Sequence, residues 1–303
     1  MNRIYAHLVL MRPANIITAI ADIMLGFAAS GSVMMLLESN NIQIGSPQLR
    51  LLFWLILATI GLYGGGVVFN DVFDADLDRV ERPERPIPSG AASRTSATVL
   101  GALLLIGGIG AAFQVSMLSG ALAVITAILA LVYNALAKSH PILGPLNMGM
   151  CRGFNLLLGL SAVPSAVQVY WYMALIPIVY IAAITVISRG EVHGGDKRIL
   201  KGAFCLYLVV IAGIFILDRL QQYNLLYALP FLALFIYFIF PALLQAIKTL
   251  EPLHIRLAVK AGVIALIVMD ATIAAGFAGW QYGLIVLALF PISRFLAKQF
   301  AVT

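Results

Sequence analysis

Asn70, Asp71, Asp74 and Asp78 stand in the string NDVFDADLDRVERPERPIPSG over 70–90, where acids and arginines interrupt an otherwise apolar chain. Asn70, Asp74 and Asp78 recur every four residues. Asp71 lies three before Asp74 and seven before Asp78, so a helix gathers all four on one face. Carboxylates on one stripe repel each other and need a cation among them. Closely spaced hard oxygen donors suit Mg2+, which bridges carboxylates to substrate phosphates. Arg79, Arg82 and Arg85 follow at once and supply donors for phosphate oxygens.

The elements that position these residues are membrane helices. Hydrophobic residues make up 62% of the 303, charged residues only 11%, and the mean hydropathy is +0.99, far from an average soluble domain. Apolar runs approach or exceed the roughly 18 to 20 residues that cross a bilayer as a helix. They fall near 14–36, 51–70, 97–114, 119–137, 145–164, 170–188, 202–217, 225–247 and 258–277, with a tenth near 281–296. The first run is long and lacks a small-residue cleavage site, which argues against a removable signal peptide. The expectation is an all-α polytopic bundle of nine or ten transmembrane helices, one domain over 1–303, with a central cavity open toward the cytoplasmic side.

The net charge of +6 points to topology, not to nucleic acid, because the place of each Lys and Arg matters more than their sum. With a cytoplasmic N-terminus, nearly all the basic loop residues fall on the cytoplasmic side, and only Arg50 and Arg219 lie in outward loops. Arg294 and Lys298 become cytoplasmic with ten spans and external with nine, which favours ten. Cys151 and Cys205 lack metal-ligand spacing and read as small buried hydrophobes. Glycines such as Gly64 to Gly66, and Pro145, fit close helix packing or irregular backbone around a cavity.

A second polar island, SRGEVHGGDKRILK over 188–201, follows the sixth run. Four spans separate it from the first island, so both open at the same end of the bundle. Glu191, His193 and Asp196 are candidate metal ligands, and Arg189, Lys197 and Arg198 supply positive charge. On an ideal helix Glu191 and Asp196 diverge by about 140°. The Gly194-Gly195 pair breaks such a helix and leaves room for them to converge.

Asn70, Asp71, Asp74 and Asp78 fit the signature N-D-x-x-D-x-x-x-D, and R-P-I-P-S-G follows at Arg85 to Gly90. In both features the chain resembles the UbiA superfamily of intramembrane prenyltransferases. Arg12-Pro13, Tyr133 with Lys138, and Arg152-Gly153-Phe154-Asn155 extend the resemblance over most of the chain. The second island departs from it. Family members carry two aspartates four apart there, whereas here Val192 stands four before Asp196. The string SRGEVHGG is similar to the EboC-like branch of the superfamily.

The resemblance implies Mg2+ held by Asp71, Asp74 and Asp78, with a further site at Glu191 and Asp196, and these five as the catalytic set. It implies an isoprenoid diphosphate donor bound by Arg12, Asn70, Arg82, Arg85, Lys138, Arg189 and Lys197. Arg152 is a further substrate-binding residue, and Tyr133 or Asn155 would orient a lipophilic, electron-rich acceptor. The expected reaction is prenyl transfer, aromatic or other, within a bacterial inner membrane. The partners are donor, acceptor and membrane lipids. The irregular second motif keeps a different class open, a non-catalytic transporter or isoprenoid-binding membrane protein that retains the fold.

Overall fold

The computed structural model describes residues 2–38, 45–192 and 194–300. Helices make up the architecture, and no strand occurs among the described residues. The chain enters through α1 (Arg3–Met11) and α2 (Pro13–Ala29), which form one bent pair, and α3 (Ser32–Glu38) follows. Next come α4 (Pro47–Phe73), the short α5 (Ala75–Glu81), α6 (Arg94–Phe113), α7 (Met117–Val132) and α8 (Leu143–Leu160). α9 (Pro164–Tyr170), α10 (Leu175–Ser188), α11 (Lys197–Ile216) and α12 (Leu225–Thr249) complete the middle. The chain closes with α13 (Pro252–Ala278), α14 (Trp280–Leu287) and α15 (Leu289–Gln299).

Eight helical segments among the described residues are long and apolar enough to cross a bilayer, and nine when the bent pair counts as one. α8 packs among α2, α7 and α10 in the same bundle. Asn147, Arg152 and Asn155 lower its hydropathy, yet all three are buried. The Tyr5 hydroxyl donates to the carbonyl of Gln299 at 2.6 Å and its ring stacks on Phe300. Both ends of the described chain therefore lie on one face, as an even number of crossings requires.

α13 is the hub of the bundle. Some 83% of its apolar window is buried, against 17 to 50% in the other spans, so it contacts protein where they contact lipid. Large apolar side chains such as Leu103, Met117, Leu136 and Tyr237 cover the outer surface. Without a hydrophobic drive between helices in lipid, close approach of backbones at small residues holds such bundles together. α4 and α6 meet in this way at Gly61, where an added Cβ would stand 2.5 Å from the carbonyl oxygen of Leu104. Gly65 contributes likewise, 2.9 Å from the Gly101 carbonyl, whereas Gly64 keeps ordinary distances. Pro145 sits in the first turn of α8 and interrupts nothing. Cys205 differs from the sequence expectation: it is exposed on α11, not buried.

Gly61→Leu is expected to lower the thermal midpoint in detergent sharply and to broaden the size-exclusion peak. Gly107→Leu, on the same system but with open space at its Cα, is expected to change neither. Equal midpoints for the two variants would remove the α4–α6 crossing from the account.

Candidate active site

Two local breaks in the helices create the site. Pro13 disfavours the α conformation at the residue before it, and Arg12 adopts φ 48°, a left-handed conformation rare for a residue with a side chain. The break bends α1 against α2 by 40° and aims the Arg12 guanidinium at Asp71, Nη2 to Oδ1 at 2.6 Å. The second break is a π turn, Tyr133–Ala137, that ends α7, a feature often found at functional sites. It brings Asn134 to α4, where its amide donates to the Gly66 carbonyl at 2.9 Å and accepts from Asn70 at 3.1 Å.

The acidic stripe straddles a joint. α4 ends at Phe73, Asp74 stands between the helices, and α5 carries Asp78. Asp71 and Asp78 are both 4% exposed. Arg85 is buried between them, its Nη1 2.7 Å from Asp78 Oδ2 and 3.4 Å from Asp71 Oδ1. Lys138 forms an ion pair with Asp74. The mutual repulsion expected from sequence is thus relieved by Arg12, Arg85 and Lys138. Arg79 takes no part and pairs with Asp76 on the surface.

A cavity of about 520 Å3 opens from this rim into the bundle, within the usual size of small-molecule sites. Asn70, Asp74, Asp78, Arg12, Arg82, Arg85 and Lys138 line it at the rim, Tyr133 and Cys151 lie on its wall, and Tyr63, Arg152 and Asn155 lie deeper. These are most of the residues singled out from sequence. Asp71 stands directly behind the lining, within the same ion-pair set.

The second island divides. Glu191 is half-buried and faces Arg82 and Arg256; burial pushes its carboxyl above the ordinary value against the pull of those cations. Asp196 is exposed and caps α11, accepting from the Arg198 amide at 2.7 Å. Gly194, at φ 89°, turns the chain between them. Arg189 donates to the His140 carbonyl at 2.8 Å, and Lys197 is exposed outside the cavity lining. His193 lies outside the described residues. No three acidic, imidazole or thiol side chains converge as a ready-made metal site among the described residues.

Sequence reasoning passed over Asp22 and Asp270, each fully buried in an apolar run. Asp22 Oδ2 accepts from Arg152 Nη1 at 2.8 Å and from the Asn155 amide at 2.9 Å. Asn155 Oδ1 accepts from Thr59 at 2.8 Å, and the Arg152 guanidinium lies 4.8 Å from the centre of the Tyr63 ring. A lone carboxylate inside a membrane run was the available signal, since such groups are costly there and tend to serve function.

The model of the UbiA prenyltransferase family matches residues 33–248. The chain belongs to that family. Over 162 residues it is 31% identical to a digeranylgeranylglyceryl phosphate synthase of Methanothrix thermoacetophila, covering 53% of this chain and 56% of that protein. Over 202 residues it is 28% identical to the synthase of the same name from Ignicoccus hospitalis, covering 65% and 62%. The chain spans about half the length of the curated relatives it matches.

Among solved structures, a digeranylgeranylglyceryl phosphate synthase superposes with a TM-score of 0.67 at 20% identity, covering 92% of this chain and 99% of that one. A UbiA homologue from Archaeoglobus fulgidus bound to GPP and Mg2+ superposes with a TM-score of 0.59 at 14% identity, covering 93% and 99%. At these identities the likeness establishes the UbiA fold. Together with the apolar helices, it makes this chain an integral membrane protein. The relatives named here are archaeal.

A carboxyl raised on folding favours the protonated form. Glu191 therefore contributes its full stability below the unfolded value, roughly 4.3, and loses that contribution as pH rises through the folded value. Glu191→Gln is expected to remove this loss, so its thermal midpoint should fall less than the wild type's as pH rises through the window. Parallel pH profiles would contradict the burial of Glu191.

Proposed function

We propose that this protein, one UbiA-like domain over 1–303, transfers a prenyl group from an isoprenoid diphosphate to a lipophilic acceptor inside the membrane, with Mg2+ as cofactor. The observation that supports this most is the polarity of the cavity. Three carboxylates, each paired with a cation, stand at or directly behind its rim, and the cavity runs from them into the bundle. Positive residues cluster on the rim side of the bundle, and Arg50 and Arg219 lie opposite. By the positive-inside rule we place the rim and the N-terminus in the cytoplasm.

The donor set fits magnesium: Asp71, Asp74 and Asp78 offer hard oxygens on adjacent turns, and Glu191 is a further donor beside Arg82. In this arrangement each of the three aspartates is held by an arginine or a lysine. A divalent cation would take over that neutralisation, and Arg12, Arg85 and Lys138 would turn to phosphate oxygens. Arg12 already shows a buried Nε–H with no partner, a donor suited to an anion. Bound Mg2+ would supply charge neutralisation at the diphosphate.

Fixed cations at the rim favour departure of pyrophosphate, because they are strongest where negative charge grows. The allylic C–O bond breaks, the diphosphate takes the electron pair, and an acceptor oxygen or carbon bonds to the prenyl C1 and gives up its proton. Burial of the cavity keeps water from the cationic carbon. Tyr133 and Asn155, on the wall and deeper in the channel, would orient the acceptor. The relatives are named as synthases of digeranylgeranylglyceryl phosphate, which favours a prenylated glycerol phosphate hydroxyl as acceptor over a phenol. We therefore put that class first and keep an aromatic acceptor as the comparison.

Purified protein incubated with geranyl, farnesyl and geranylgeranyl diphosphates, Mg2+ and either acceptor class is expected to release pyrophosphate and form prenylated lipid, both abolished by EDTA. Asp74→Ala is expected to lower turnover by at least about 100-fold, the scale of losing one group that stabilises transition-state charge. Full turnover in a folded Asp74→Ala variant would rule out its metal role. Magnesium-dependent donor binding with neither acceptor turned over would favour an isoprenoid-binding protein or transporter.

A further inference from the structure

The acidic face of α4 and α5 does not stop at Asp78. On a regular helix Glu81 returns to within about 20° of Asp74 and about 60° of Asp78 around the axis, so the stripe gains a fourth carboxylate at the end of α5. The two faces of α5 are distinct. Asp74, Leu77, Asp78, Glu81 and Arg82 line the cavity, whereas Asp76 pairs with Arg79 and Arg94 at the surface and Val80 is 84% exposed.

Glu81 differs from the three aspartates in having no cation. Asp71, Asp74 and Asp78 each hold one, which commits Arg12, Lys138 and Arg85. The Glu81 side chain has no ion pair or hydrogen bond among the described residues. Its position is unfavourable on two further counts. It is the last residue of α5, the end at which a helix disfavours negative charge, and it stands three residues from Asp78, where like charges repel. A residue that breaks local preferences on a cavity wall points to a functional constraint.

The second island leaves a gap that Glu81 can fill. Its described residues send Ser188 alone into the cavity lining, and Asp196 is occupied as the cap of α11. The carboxylates that line the mouth, Asp74, Asp78 and Glu81, therefore all come from one stripe. Arg85 takes only Oδ2 of Asp78, which leaves Oδ1 one turn from the Glu81 carboxylate, near enough for both to serve one small hard cation.

We propose that Glu81 is a metal ligand of this site, completing with Asp78 the oxygen set that holds Mg2+ against the diphosphate, in the role that Asp196 does not fill. This rests on the prenyl-transfer reading of the cavity. Mg2+ meets Glu81 without displacing an arginine or lysine, unlike the three aspartates, and Arg82 beside it is placed for a phosphate oxygen.

Carboxylate labelling of the wild-type protein tests this without depending on any variant's folding. Glu81 and Glu84 fall in one tryptic peptide, 80–94, because Arg82 and Arg85 precede prolines. Glu84 is exposed and lies outside the cavity lining, so it serves as an internal control. With Mg2+ and a non-hydrolysable farnesyl diphosphate analogue, carbodiimide labelling of Glu81 is expected to fall severalfold while that of Glu84 stays the same. Unchanged labelling of Glu81 would overturn its metal role and leave the donor site intact.

Mn2+ affinity in the presence of the analogue, read from the EPR signal of the free ion, separates ligation from shielding. Glu81→Gln is expected to weaken Mn2+ binding by at least about tenfold, the scale of losing one group that supports a bound metal, and Glu81→Asp by less. Glu84→Gln removes the same charge nearby and is expected to stay near the wild-type affinity. Equal losses in the two glutamine variants would reduce Glu81 to a general charge and overturn the ligand. A larger loss in Asp196→Asn than in Glu81→Gln would return the ligand to the second island and overturn it too. Wild-type protein that binds no Mn2+ with the analogue would overturn the prenyl-transfer reading itself.

Discussion

The acidic stripe at the end of α4 cannot exist alone. Asp71, Asp74 and Asp78 sit at the membrane boundary, two of them buried, and their repulsion must be met by positive charge from outside the helix. The bundle meets it from three directions. Arg12 arrives through the bend at Pro13, Lys138 through the π turn that ends α7, and Arg85 through the loop that folds back after α5. Each of these is a local departure from regular helix. The cost of such backbone irregularity is tolerated where it lines a cavity, and all three departures are gathered there.

A second constraint acts at mid-depth. Arg152 is buried in α8 and depends on Asp22 across the tight α2–α8 contact. Removing one partner of such a pair leaves an unpaired charge in a low-dielectric interior, which is far more damaging than removing both. The hub helix α13 contributes Asp270 to the same layer. Arg152 lines the same cavity as the rim residues, while its partner Asp22 is fully enclosed behind it.

Much of this was legible in the residues. The four-residue spacing of Asn70, Asp74 and Asp78 placed them on one face, and the structure keeps that face despite the break at Asp74. Apolar runs located the helices, although α1 and α3 were merged into or left out of the first run, because Arg12-Pro13 and Gly31 end helices without ending hydrophobicity. What one dimension could not supply was partner identity. The link from Arg12 to Asp71 spans most of two helices, and that from Asp22 to Arg152 joins residues 130 positions apart. Asp196 shows the opposite limit: the family resemblance implied a ligand, while its place before α11 makes it a cap. Asp270 went unremarked in an apolar run that its single charge did not interrupt.

The central claim is that the rim carboxylates are held by the same cations that would grip a diphosphate, so metal and donor must bind as one event. Calorimetric titration of Mg2+ into detergent-solubilised protein, with and without a non-hydrolysable farnesyl diphosphate analogue, tests this most directly. The account predicts weak Mg2+ binding alone and affinity at least about tenfold tighter with the analogue, with the reciprocal gain for the analogue when Mg2+ is present. Equal Mg2+ affinity in both titrations, after correction for metal bound by the free analogue, would contradict it.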